Sequence, residues 1–189
     1  GRQMGEQLTK NPFDGMQSEA VLSGMADALA GKESPISLED MNEAIDDLNK
    51  RMLQKQQEQA GEEEAIGEAF LAKNAEREEI ETTDSGLQYE VIAPSEGDSP
   101  ELSSRVKVHY HGTLIDGTVF DSSVDRGEPI DFPVSGVIAG WTEALQLMSP
   151  GAKYKLYIPH QLAYGENGAG DVIKPFTTLI FDVELLEIL

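Results

Sequence analysis

A change of period near residue 85 divides this chain and limits what it can fold into. From residue 86 onward, apolar and polar side chains alternate. Leu87, Tyr89 and Val91 do so, then Val106, Val108 and Tyr110, then Ile130, Phe132 and Val134. Tyr154, Leu156 and Ile158 follow, and Leu179, Phe181, Val183 and Leu185 close the series. A repeat of two marks strands buried on one face. Asp116-Gly117, set between Thr113-Leu114-Ile115 and Thr118-Val119-Phe120, predicts a two-residue hairpin turn. One helix is predicted around Ile138–Leu147, stopped by Pro150-Gly151. Strands with a single helix predict an α+β domain over 86–189, an antiparallel sheet wrapped on that helix.

The first 85 residues have a different texture. Val21, Leu22, Met25 and Leu29 recur at helical spacing, with Gly31 as a stop. A second helix is predicted to start at Ser37, a good N-cap. Asp40 sits where a capping box puts an acid, and Ile36 and Met41 occupy the positions of a hydrophobic staple. Met41, Ile45, Leu48 and Met52 then make a narrow apolar stripe, closer to a helix–helix seam than to the face of a globular core. No proline interrupts Ile36 to Ala93. A helix continuing to about Ile80 would run roughly 65 Å at 1.5 Å per residue. Gly61 and Gly67 are its weak points. Gly1–Ala30 is too small to cover so long a helix. The expectation is a second copy of the chain: residues 1–85 as a helical dimerisation domain with a long linking helix, pairing through residues 1–60. A solvated, charged linker is the competing reading.

Charge and composition remove other classes. A net charge of −21 and a pI near 4.3 argue against nucleic acid and against anionic membranes. No apolar run is long enough for a membrane span. With no cysteine there is no disulfide framework, thiolate nucleophile or Cys-ligated metal. His109 and His111 share a strand face, but no third ligand accompanies them, so no metal and no cofactor are expected. Glu62-Glu63-Glu64 reads as a solvated helix face, and Gly165–Gly170 lacks the strand–turn–helix setting of a phosphate loop.

Five motifs, in order, carry a resemblance: Val108-His109-Tyr110; Asp116-Gly117-Thr118-Val119-Phe120-Asp121-Ser122-Ser123; Val137-Ile138-Ala139-Gly140-Trp141; Ala163-Tyr164-Gly165; and Thr178-Leu179-Ile180-Phe181-Asp182-Val183-Glu184-Leu185-Leu186. Together they span nearly all of residues 86–189. The chain resembles the FKBP-type peptidyl-prolyl cis-trans isomerases. Its helical first half, ending in Ser85-Gly86-Leu87-Gln88-Tyr89, is similar to the two-domain bacterial branch. That branch contains the macrophage infectivity potentiator proteins and their shorter cytoplasmic relatives, V-shaped dimers joined through N-terminal helices.

The resemblance implies a proline pocket and assigns its parts. Trp141 would be the floor, with Phe120 and Phe181 as walls. Tyr164 would donate its hydroxyl to a substrate carbonyl, and the Ile138 backbone N–H would bind the next one. Asp121 would be held by Arg126, and Tyr110, Ile130, Val137 and Ile173 would complete the hollow. Taken singly, the large aromatics read as core, Asp121 as a turn cap and Tyr164 as a loop residue; only the joint pattern points to a site. The implied partners are proline-containing unfolded or partly folded proteins and macrolide inhibitors of the FK506/rapamycin class. Residence in the bacterial cytoplasm is expected, or in the periplasm if a signal peptide has been removed. The competing function is a chaperone or docking module with isomerisation incidental. Ile130, Gly136 and Ala169 depart from residues common in the family, which bears on substrate preference and inhibitor affinity.

Such an inventory suits the reaction. Rotation about X–Pro must break amide resonance, a barrier of about 18–20 kcal/mol. The twisted carbonyl is less polar than the planar one, so an apolar pocket favours the twisted form. That is catalysis by differential binding, and it asks for no nucleophile, base or metal.

Overall fold

The computed structural model describes Gln3, Glu6 and residues 16–189. The remaining residues up to 15, including Phe13 and much of the start of the expected pairing segment 1–60, lie outside the described residues. The chain forms two compact units, Gly1–Glu58 and Gln59–Leu189.

In the first unit, α1 (Ser18–Leu29) follows the predicted spacing and stops before Gly31, whose φ of 68° no helix tolerates. Helix α2 (Leu38–Asn74) begins one residue after the predicted cap. The Asp40 N–H donates to Ser37 Oγ at 3.0 Å, and the Ser37 hydroxyl donates to Asp40 Oδ2 at 2.8 Å. The acid thus turns to the cap's side chain, whereas a full capping box would engage the cap's backbone N–H. Met41, Ile45 and Met52 of the stripe are exposed, and Leu48 is half-buried.

The predicted helix to Ile80 is too long: α2 ends at Asn74. Its final turn is taken over by packing within the second unit. Asn74 is buried, its Nδ2 donating to Gln88 Oε1 at 2.9 Å, while Gln88 Nε2 donates to the Leu71 carbonyl at 3.0 Å. Arg77 then donates to Asn74 Oδ1 and Tyr157 Oη, both at 3.0 Å, and to Glu90 Oε2 at 2.8 Å. Ile80, where the predicted helix was to end, instead opens strand β1 (Ile80–Thr82), because Gln88–Ala93, strand β2, offers it an antiparallel edge. Gly67 is not a weak point. A Cβ there would lie 2.5 Å from Thr178 Oγ1, so the glycine is what lets the helix approach the sheet domain.

The remaining elements run β3 (Arg105–Thr113), β4 (Val119–Ser122), a one-turn helix α3 (Ser123–Arg126), β5 (Ile130–Pro133), α4 (Ala139–Leu145), β6 (Lys153–Ile158) and β7 (Leu179–Ile188). Among the described residues, seven strands form one antiparallel sheet in the order β1-β2-β6-β7-β3-β4, with β5 also paired to β3. The α+β reading of this half therefore holds. The alternating residues fill the core: Val106 and Val108 of β3, Leu156 and Ile158 of β6, and Val183 and Leu185 of β7 are buried, against Ala144, Leu145 and Met148 at the end of α4 and beyond it.

The predicted two-residue hairpin is wider in the fold. Strand β3 ends at Thr113 and β4 begins at Val119, with a register shift between Gly112 and Thr113. Asp116 Oδ1 accepts from the Thr118 N–H at 2.9 Å, so the acid shapes a longer turn.

Candidate functional site

Strand β3 decides where the site opens. Its alternation puts Val106, Val108 and Tyr110 on the buried face, and Gly112 next in line. Gly112 lies across from Phe181 on β7 and from Asp121 on β4. A Cβ at Gly112 would fall 2.8 Å from atoms of both Phe120 and Phe181, so a side chain there would push the two rings apart. Sequence reading missed this glycine, because the crowding exists only once three strands are paired.

Around that point is a cavity of about 750 Å³. Trp141, from the first turns of α4, and Phe181 line it while only 4% and 5% exposed. Phe120 stands on Phe181 at 5.3 Å and 89°. Trp141 meets Phe181 at 5.1 Å and Tyr110 at 5.3 Å, both at 84°. These edge-to-face contacts are the favourable geometry for aromatic quadrupoles, and each ring fixes the next. Val137 and Ile138 reach the cavity from just ahead of α4, and Ile130 from β5. Tyr164, 40% exposed, and Ile173 reach it from the connection between β6 and β7.

Phe132 was not anticipated. It lies two residues beyond Ile130 on the same strand face, lines the cavity, and packs 5.5 Å from the Trp141 ring. It supplies aromatic surface beside Ile130, where an aromatic is lacking. The alternation of Ile130, Phe132 and Val134 was the available signal: neighbours two apart share a face. Gly136, Ala169, Gly170, Asp171 and Val172 also border the hollow. The loop bearing the last four is closed on itself, the Ala169 N–H donating to the Ile173 carbonyl at 2.8 Å and the Ile173 N–H returning the bond at 3.2 Å.

One polar cluster sits at the edge. The Asp121 carboxylate accepts hydrogen bonds from the Tyr110 hydroxyl and from Arg126. Arg126 Nη2 donates to Tyr110 Oη at 2.9 Å, and its guanidinium lies 5.6 Å from the Tyr110 ring centroid. Arg126 is outside the lining and touches the cavity only through these two partners. Burial pushes the Asp121 carboxyl up, but the bonds from Tyr110 and Arg126 outweigh it and hold the group below the usual range. Burial, with the Asp121 bond, pushes the Tyr110 phenol up. At neutral pH Asp121 is therefore an anion and Tyr110 a neutral donor. Beneath them the fully buried Ser123 Oγ accepts from the Tyr110 N–H at 2.8 Å, a positioning contact that sequence reading did not single out. Ser122, not Asp121, caps α3, accepting from the Asp125 N–H at 3.1 Å.

All the aromatic and aliphatic candidates thus meet in one hollow. The Trp141 Nε1 is buried without a hydrogen-bond partner, an uncommon state for an indole donor. His109 and His111 lie elsewhere, with Nδ1 atoms 3.1 Å from Ser123 Oγ and 2.9 Å from Ser122 Oγ. Among the described residues, no group of three or more His, Asp or Glu is placed to hold a metal ion.

Residues 97–186 match the family model described as FKBP-type peptidyl-prolyl cis-trans isomerase. Residues 1–91 match the one described as the domain amino terminal to it. The chain is 49% identical over 189 residues to the FKBP-type 22 kDa peptidyl-prolyl cis-trans isomerase of Escherichia coli (strain K12), covering 100% of this chain and 92% of that protein. It is 38% identical over 192 residues to the outer membrane protein MIP of Legionella longbeachae, across 100% of this chain and 82% of that one. The crystal structure of FkpA from Escherichia coli aligns with a TM-score of 0.81 at 38% identity, covering 100% of this chain and 90% of that chain.

Proposed function

The chain belongs to the FKBP-type peptidyl-prolyl cis-trans isomerase family, and on that premise we propose that the Trp141 cavity is where the isomerisation takes place. The activity is rotation about X–Pro bonds in proline-containing polypeptides. The observation that carries the site assignment is the ring set itself: Trp141, Phe181, Phe120 and Tyr110 stand edge-to-face around one open hollow.

The proline ring enters over Trp141 and lies against Phe120 and Phe181. There the imide loses its aqueous solvation, which weakens the planar, polar form more than the twisted one. Tyr164 at the rim and the Ile138 N–H at the start of α4 hold the flanking carbonyls, so the peptide is presented already bent. Asp121 is fixed by Arg126 and Tyr110, and presents a constant negative charge beside the imide. No proton moves. Because Trp141 is the chain's single tryptophan, its fluorescence reports occupancy directly. Titration with a macrolide of the FK506 class is expected to change that emission and to inhibit peptide isomerisation in parallel. Inhibition with unchanged emission would place the inhibitor elsewhere.

The first 85 residues have a separate role in the proposal: dimerisation through residues 1–60 and holding of unfolded clients, with 86–189 doing the chemistry. The exposed Met41, Ile45 and Met52 support a surface that meets another chain. The same stripe supports the second reading, in which holding is the main role and isomerisation incidental. Asp121→Ala separates the two. Loss of refolding assistance together with isomerase activity supports the enzyme, and loss of isomerase activity with full suppression of aggregation supports the holdase. Cytoplasmic residence belongs to the same proposal, on the likeness to the short relatives. Fractionation of the source bacterium tests it, and recovery from the periplasm would replace it.

A further inference from the structure

A second hollow adjoins the first and has no part in the chemistry above. It encloses about 480 Å³, and its lining lies entirely within Gln59–Leu189. Glu63 and Ile66 of α2 form one side, and Leu114, Ile115 and Asp116 of the β3–β4 turn form another. Asp171 and Val172 line this hollow and the Trp141 cavity alike, so the two flank one short stretch of loop.

Its surface is mixed in a specific way. Ile66 is 52% exposed, Val172 is exposed, and Leu114 and Ile115 are half-buried. Three carboxylates, Glu63, Asp116 and Asp171, stand around this apolar patch against a single cation, Lys174. Lys174 Nζ lies 2.9 Å from Glu63 Oε1, and its charge also faces Asp116, one cation against three anions. Asp116 and Asp171 leave the hollow with an excess of negative charge, in a chain whose net charge is already −21.

We infer that this second hollow is an extension of the isomerase site that takes the polypeptide flanking the proline and selects a segment pairing an aliphatic side chain with a lysine or arginine. The inference rests on the assignment of the Trp141 cavity to the X–Pro bond. A client seated there continues over the rim, and Asp171–Val172 is the part of the rim the two hollows share. Ile66 and Leu114 then receive an aliphatic side chain, while Asp116 and Asp171 attract the cation, a long-range effect that salt weakens. A second copy of this strongly acidic chain would meet repulsion at the same place.

The test compares three peptides sharing one X–Pro core: a tetrapeptide, a longer peptide flanked by Leu and Lys, and the same peptide with Glu replacing Lys. Catalysed cis–trans exchange is read by NMR with the full chain and with Asp116→Asn and Ile66→Ser. Both substituted positions are exposed, and asparagine keeps the turn-shaping acceptor. The expected result is an approximately tenfold higher kcat/KM for the Lys-flanked peptide than for its Glu counterpart at low salt, equivalent to one tenfold step in affinity. The preference shrinks with added salt and falls below about threefold in Asp116→Asn, whereas Ile66→Ser lowers turnover of both long peptides alike. No turnover of the tetrapeptide by the unmodified chain would sink the Trp141 assignment itself. Turnover of the tetrapeptide with equal rates for the two long peptides would sink only the extended subsite. So would a preference that survives Asp116→Asn, long-peptide rates unchanged by Ile66→Ser, or a change in self-association in the variants with the preference intact.

Discussion

At the scale of single residues, the site is a set of rings that hold one another, plus one carboxylate that is kept charged. Phe181 contacts Trp141, Phe120 and Tyr110, so Phe181→Ala removes a wall and the support of three neighbours. It is expected to lower kcat/KM on a proline tetrapeptide by at least about tenfold, or 1.4 kcal/mol of transition-state binding, with the circular dichroism of the sheet retained. Gly112→Ala is expected to destabilise by about 1–3 kcal/mol, as overpacking does, and to reduce activity further by parting Phe120 from Phe181; thermal melts and peptide turnover check both. The pH profile follows from Asp121 and Tyr110. A carboxyl held below its usual range in the fold contributes stability above the unfolded pKa, about 3.9, and loses it as pH falls through the folded value. A phenol held above its usual range loses its contribution only as pH rises beyond about 10. Turnover is therefore expected to be flat between about pH 5 and 9. A bell-shaped profile inside that window would require a proton transfer the site does not contain. Trp141, Phe181, Asp121 and Tyr164 were legible from their motifs. Gly112 and Ser123 were not, because their roles depend on strands that meet only in the fold.

The elements show where local pattern stops being sufficient. Strand alternation placed β3, β6 and β7 correctly because one face of each is buried, and a shift by one residue would turn every apolar side chain outward. The helix signal of α2 was equally clear at its start and failed at its end. Nothing in residues 75–80 breaks a helix; Asn74, Arg77 and the open edge of β2 outcompete it. Gly61 and Gly67 look alike in sequence yet are expected to respond with opposite signs. Nothing lies within 4 Å of a Cβ at Gly61, so Gly61→Ala gains helix propensity, about 0.5–1 kcal/mol. Gly67→Ala gains the same, but its Cβ lands on Thr178, which is 2% exposed and short, so the clash wins by about 1–2 kcal/mol. Denaturant midpoints of the two variants, rising for one and falling for the other, check the docking of α2 on the sheet domain.

At the scale of the whole molecule, a catalytic unit follows a helical arm whose stripe leaves Met41, Ile45 and Met52 exposed. Sedimentation is expected to find a dimer for the full chain and a monomer for Gln59–Leu189. Refolding of a proline-limited protein is expected to be faster with the full chain at equal active-site concentration, while tetrapeptide turnover is the same for both. Equal refolding rates would remove the arm from the function. Whether the Trp141 hollow itself rotates X–Pro bonds without proton transfer or covalent step is decided on the intact chain. Cis–trans exchange of a proline tetrapeptide, followed by two-dimensional exchange NMR, is compared for the unmodified protein and Phe181→Ala. Exchange is expected to be accelerated by the first and cut at least about tenfold in a folded second; equal acceleration by both would remove the hollow from the reaction.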